Sequence, residues 1–155
     1  MSRSKISLIV VVIIILILAI LIWPKKIKPD QNYLSFGETN IKIELADTPA
    51  KQELGLSGRE SLAQDTGMLF IFDKPGRYGF WMKEMRFAID IIWLDSEWRI
   101  VGIHYNINPS TYPTVFYPTE PAQYVLEVNA RWTSQNNIAT GTSAIYIPGK
   151  EVPTI

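Results

Sequence analysis

The chain has 155 residues, 47% hydrophobic and 19% charged, with 15 basic side chains against 15 acidic ones, one histidine and no cysteine. That length suits one domain, or one modest domain plus an appendage. The lack of cysteine excludes a disulfide scaffold, thiolate ligation of zinc or iron–sulfur clusters and a thiol nucleophile, and a lone His104 leaves little for histidine-based chemistry.

The neutral total is unevenly spread. Residues 1–30 carry Arg3, Lys5, Lys25, Lys26 and Lys28 against Asp30, while residues 31–155 carry the other ten basic groups against fourteen acidic ones, a net of −4. Phosphate binding needs clustered Lys and Arg, because affinity comes from displacing counterions. The body has neither the excess nor a cluster, so nucleic acid is not an expected partner.

The first element is an apolar run. Every residue from Leu8 to Trp23 is apolar, and Ile6-Ser7 extends the stretch. As a helix over residues 6–23 it would be about 27 Å long, close to the hydrocarbon thickness of a bilayer. A signal peptide has a shorter apolar region and ends at a small-x-small site; here the run ends Ile20-Leu21-Ile22-Trp23-Pro24-Lys25. The expectation is an uncleaved, single-pass anchor (residues 1–23) lodged in the lipid bilayer. The short N-terminal tail and long following body suggest a signal-anchor orientation, with the body outside the cytoplasm. The flanking positive charges are nearly balanced.

Residues 24–32 form a polar, Lys-rich linker interrupted by Pro24 and Pro29. A β-rich domain is expected over residues 33–155. Asn40–Ala46 alternates apolar and polar residues as a half-buried strand does. Thr48-Pro49 supplies an N-cap and a first-turn proline for a short helix to about Leu54, ended by Gly55 and Gly58. Gly67–Phe72 and Tyr78–Lys83, separated by Asp73-Lys74-Pro75-Gly76, look like hairpin partners. Asp90–Leu94 and Trp98–Ile107 form a second pair around Asp95-Ser96-Glu97. A proline-punctuated loop carrying Tyr112, Phe116 and Tyr117 follows. Gln123–Val128 is a strand, Asn129 can cap a short helix through Asn137, and Thr142–Ile147 is the last strand. Short strands, two small helices and no βαβ rhythm predict a mainly β fold: a compact antiparallel β-barrel-like domain behind one transmembrane helix.

Several motifs, taken in order, resemble the domain-of-unknown-function 192 family. They are Ile43-Glu44-Leu45-Ala46-Asp47-Thr48, Gly55-Leu56 with Arg59-Glu60-Ser61-Leu62, Gly67-Met68-Leu69-Phe70, Phe80-Trp81-Met82-Lys83, Ile89-Asp90-Ile91 and Tyr124-Val125-Leu126-Glu127. The resemblance covers about residues 40–147. It implies a compact β-rich domain of bacteria and archaea, often behind a signal peptide or a single anchor, and it brings no established activity. The chain departs from the family pattern at Glu84-Met85, where Asn-Thr is usual, and at Ala88-Ile89, where Pro-Leu is usual. It also lacks the cysteines that many relatives carry in the loop corresponding to Asn108–Pro121.

Strand periodicity adds an independent reading. Trp81 and Lys83 share a face opposite Phe80 and Met82, Asp90 lies with Ile92 and Leu94, and Glu127 lies with Val125. One interpretation is a pocket with Trp81 as a stacking floor and Lys83 and Glu127 as binding groups. The other is a set of internal ion pairs, with Arg59 and Asp90 as the structural brace, since buried charges are normally paired. No metal site and no cofactor are expected.

Three functions are compatible with these residues. The leading expectation is a membrane-tethered extracytoplasmic module that binds an unidentified ligand or protein of the cell envelope. The alternative is an envelope hydrolase, possibly carbohydrate-active, using Asp90 and Glu127 as its carboxylate pair. The third is a structural partner of another membrane protein, with the aromatic loop as the contact. A Ser-His-Asp triad has only His104 to draw on and no Gly-x-Ser-x-Gly turn beside it. Asn108-Pro109-Ser110 fails as a glycan acceptor because proline occupies its middle position.

Overall fold

The computed structural model describes residues 30–150. The expected anchor, residues 24–29 of the linker and the last five residues lie outside the described residues. Among those described, no helix is long and apolar enough to cross a membrane.

The elements in chain order are β1 (Asn32–Phe36), β2 (Thr39–Ala46), α1 (Pro49–Leu54), β3 (Thr66–Gly76), β4 (Phe80–Trp81), β5 (Ile89–Leu94) and β6 (Ile100–Ile107), followed by a 3-10 turn (Pro109–Thr111), β7 (Val115–Phe116), β8 (Ala122–Asn129), α2 (Trp132–Gln135) and β9 (Ile145–Ile147). The fold is mainly β, as the short alternating segments predict. Seven strands form one sheet in the order β6-β5-β8-β3-β2-β1-β9, while β4 and β7 form a separate two-stranded ribbon.

Local chemistry explains the elements that match expectation. Thr48 Oγ1 accepts the Lys51 N–H and Pro49 opens α1, whose C-terminal residue is followed by Gly55 at φ +52°. The β5–β6 hairpin turns where Asp95 Oδ1 accepts the backbone N–H of both Glu97 and Arg99.

Three expectations are corrected. First, the sheet is open and not a closed barrel. Its edge strands β6 and β9 form no ladder. Only an isolated bridge, Arg99 to Ser143, and nearby backbone hydrogen bonds such as Ile100 N–H to Thr142 O (2.9 Å) join the two edges at one end. Farther along β6 the space is taken by the proline loop: Thr119 Oγ1 donates to Val101 O and His104 Nε2 contacts Tyr117 O at 3.1 Å. Second, β3 and the segment around Trp81 are not hairpin partners. β3 runs through Pro75 to Gly76 and pairs with β2 in parallel and β8 in antiparallel fashion, its register irregular between Ile71 and Gly76. The irregularity accommodates the proline, which cannot donate to a ladder. β4 pairs with β7 instead. Third, β2-α1-β3 is a parallel crossover, so the sheet is mixed and not wholly antiparallel. The second helix is also shorter than expected: it spans Trp132–Gln135, with Arg131 and not Asn129 at its N-cap position.

Both faces of the sheet are buried. One carries Leu34, Ile41, Leu69, Ile92, Leu126 and Val128, sealed by Trp132 and Ile138. The other carries Met68, Phe70, Ile91, Trp93 and Val125, covered by Leu56, Met82 and Met85 from the connecting loops. Strand β5 is accordingly buried at every position. Gly67 is required where β3 crosses β8: a Cβ there would stand 2.9 Å from Glu127 O and 2.8 Å from Leu126 Cδ1.

Candidate functional site

A cavity of about 310 Å³ opens on the second face, between the C-terminal end of α1, the outer end of β3 and the β4 ribbon. Phe70, Phe72, Tyr78, Phe80 and Trp81 contribute its aromatic lining. These rings hold one another in place. Phe70 and Phe80 meet edge to face with centroids 4.8 Å apart, and Phe72 and Tyr78 stack at 3.6 Å. Phe80 also meets Trp93, whose Nε1–H donates to Tyr78 O at 3.0 Å, so the ribbon is pinned to the sheet. His104 extends this layer, edge to face with Trp93 and Phe116. Its role here is structural.

Glu127 is the cavity's buried carboxylate. It is 4% exposed, and its Oε2 has no hydrogen-bond partner among the described residues. The register explains its position. Glu44, Met68, Glu127 and Ile91 form one cross-strand row over β2, β3, β8 and β5, so Glu127 is flanked by apolar neighbours on both sides. Burial therefore pushes its carboxyl up to about 8, although the Arg59 guanidinium pulls in the opposite direction. Gly55 leaves room above it: a Cβ at that position would lie 3.9 Å from Glu127 Oε2 and 3.4 Å from the Phe70 ring.

The other predicted residues divide clearly. Trp81 lies on the rim of the cavity and is 53% exposed. Lys83 is exposed, lies outside the cavity lining, and contributes its backbone carbonyl, which accepts the Ser57 hydroxyl at 2.9 Å. Arg59 forms a two-pronged pair with Glu44, at 3.1 and 2.9 Å, and not with Asp90. That pair holds the Glu44 carboxyl below its ordinary range through hydrogen bonding to Arg59.

Asp90 is fully buried on the opposite face, across from Val128 in the β5–β8 ladder. Its Oδ1 accepts the backbone N–H of Asn106 (2.7 Å) and Arg131 (3.1 Å), and its Oδ2 accepts the N–H and hydroxyl of Thr133 (3.1 and 2.5 Å). It thus holds the irregular end of β6 against the start of α2. Because Glu127 pairs with Ile91 in the same ladder, the two carboxylates project from opposite faces of the sheet. They line no common cleft, and the carboxylate pair that the hydrolase reading requires is not assembled. Among the described residues no group of three potential metal ligands comes together.

Sequence reasoning missed Gly55, Phe70, Phe72, Tyr78 and Met85 as lining residues. A usable signal existed for two of them, since Gly55 and Phe70 belong to the motifs that carried the family resemblance.

The family model of uncharacterized ACR proteins, DUF192, matches residues 33–145. The chain belongs to the DUF192 family. Its DUF192 domain is similar to a crystal structure from Sinorhizobium meliloti 1021, described as a candidate transcription regulator, with a TM-score of 0.70 and 27% identity over 79% of this chain and 98% of that one. It is also similar to a protein of unknown function from Novosphingobium aromaticivorans DSM 12444, with a TM-score of 0.68 and 28% identity over 74% of this chain and 83% of that one. No curated protein matches the chain.

Proposed function

We propose that this DUF192 protein is a membrane-tethered, extracytoplasmic binding module whose small ligand occupies the aromatic cavity floored by Glu127. The observation that carries this reading is a buried carboxylate oxygen without a partner among the described residues, at an open cavity walled largely by aromatic side chains. Leaving such a group unsatisfied costs about 1–3 kcal/mol or more, and a fold that needed only packing would have an apolar residue there. Concave, mainly apolar sites with a few convergent polar groups are the usual form of small-molecule sites. The tether and the outward orientation rest on the apolar run of residues 6–23. The description of the Sinorhizobium relative suggests a DNA-linked role, but a net charge of −4 over residues 31–155 gives that role no support here.

Ligand-observed NMR of the full chain in phosphatidylcholine nanodiscs, against a small-molecule library, tests the binding site. Hits should weaken at least fivefold in both Glu127→Gln and Trp81→Ala. A library without hits, or hits that both variants bind like the wild type, would overturn the cavity reading. A C-terminal reporter active only after export tests the topology separately and should be active.

A further inference from the structure

The lining of the cavity points to the charge of its ligand. Two acids, Glu127 on the floor and Glu53 on the rim, border it, and among the described residues no Lys, Arg or His lines it. Five aromatic rings contribute to the wall, and the faces of such rings attract cations. Arg59, whose guanidinium acts on Glu127, is engaged by both oxygens of Glu44 and so is already charge-compensated. The buried Oε2 of Glu127, without a partner among the described residues, can accept a hydrogen bond when the carboxyl is ionised, which a ligand N–H can supply and a quaternary ammonium cannot.

We propose that the cavity takes a primary ammonium group carried on a small apolar or aromatic body, with Glu127 as its carboxylate partner and Trp81 closing over the apolar part. This deepens the reading of the cavity as a ligand site and rests on it. Burial and the Arg59 guanidinium, itself paired with Glu44, set the charge state of Glu127. The other titratable groups lining the cavity are Glu53 on the rim and the Tyr78 phenol, while β3 and β5 face Glu127 with Met68 and Ile91. Because burial keeps the Glu127 carboxyl protonated near pH 7, the ammonium must displace that proton to solvent. Binding leaves an ammonium–carboxylate pair and releases a proton. Affinity therefore rises as pH increases toward about 8 and falls again once the free amine loses its own proton.

Calorimetric titration of the full chain in phosphatidylcholine nanodiscs with benzylamine, benzyl alcohol and benzoate decides the matter. Benzylamine should bind at least tenfold more tightly than either relative at pH 8. Its affinity should increase severalfold from pH 6.5 to 8, and its enthalpy should vary with buffer ionisation as expected for a released proton. Glu127→Gln should erase the preference for the amine, so that benzylamine binds no more tightly than benzyl alcohol. Tighter binding of benzyl alcohol or benzoate, or affinity that falls between pH 6.5 and 8, would overturn the ammonium assignment and leave the cavity reading standing. Failure of all three probes to bind would overturn the ammonium assignment, and failure of the library screen as well would remove the site itself.

Discussion

Asp90 and Glu127 are both buried carboxylates on adjacent central strands, one residue out of register, yet they face opposite sides of the sheet. On one side, backbone and side-chain donors converge on Asp90 and leave neither of its oxygens free. On the other, Glu127 meets Met68, Ile91 and an open cavity, with one oxygen unsatisfied. Burial alone does not separate an architectural acid from a binding one. The supply of donors does, because disrupting a satisfied buried carboxylate strands its donors, while a buried acid without donors costs the fold stability as soon as it ionises.

The comparison is broken most directly at Asp90. Asp90→Ala leaves the N–H groups of Asn106, Arg131 and Thr133 without their acceptor, and should cost about 3–5 kcal/mol in urea denaturation. A loss under 1 kcal/mol would mean that Asp90 is no brace.

Glu127 should behave in the opposite sense. Its folded pKa lies above its unfolded value, so the folded state holds the proton more tightly. Its contribution to stability is therefore fully present below about pH 4.5, declines as pH rises through the interval up to about 8, and then levels off. Glu127→Gln removes that slope and should be more stable than the wild type by about 2–4 kcal/mol at pH 9. Parallel stability–pH curves for the two proteins would refute the buried acid.

Smaller effects sharpen the contrast. Arg59→Ala breaks an ion pair whose partners are 35% and 43% exposed in their side chains, so it should cost about 1 kcal/mol or less. The same substitution should shift the Glu127 titration upward, which carboxylate NMR would detect, because the nearby guanidinium favours the ionised form. Lys83→Ala removes an exposed ammonium outside the cavity and should change stability by less than about 0.5 kcal/mol.

Much of this contrast was legible in the sequence. The period-two reading correctly grouped Asp90 with Ile92 and Leu94, and Glu127 with Val125. It could not show that the two groups lie on opposite faces, because that follows from the β5–β8 register, a pairing between residues 30 to 40 positions apart. The same limit explains the mistaken hairpin. Asp73-Lys74-Pro75-Gly76 is a strong local turn signal, but β3 gains more by pairing on both sides with β2 and β8 than by turning back on itself. Arg59 was assigned to Asp90 on charge alone, whereas Glu44, fifteen residues earlier and on the same face as Glu127, supplies the geometry for a two-pronged pair. Short-range chemistry fared better: the Thr48 cap and the Asp95 turn need only neighbours in the chain.

The placement of β9 beside β1 bears on the order of assembly. Asn32 Oδ1 accepts both the Tyr146 hydroxyl and the Gly149 N–H, joining the two ends of the described chain. During synthesis β1 emerges first, and β2 can zip onto it at once through a two-residue turn at Gly37-Glu38. Its other flank must wait until more than a hundred further residues have been made. Until then that flank presents unpaired backbone groups, the feature through which neighbouring chains recruit one another into aggregates. The last strand is thus a latch as well as an edge, and a nascent chain cut short before Ile145 would leave its first strand permanently open on that side.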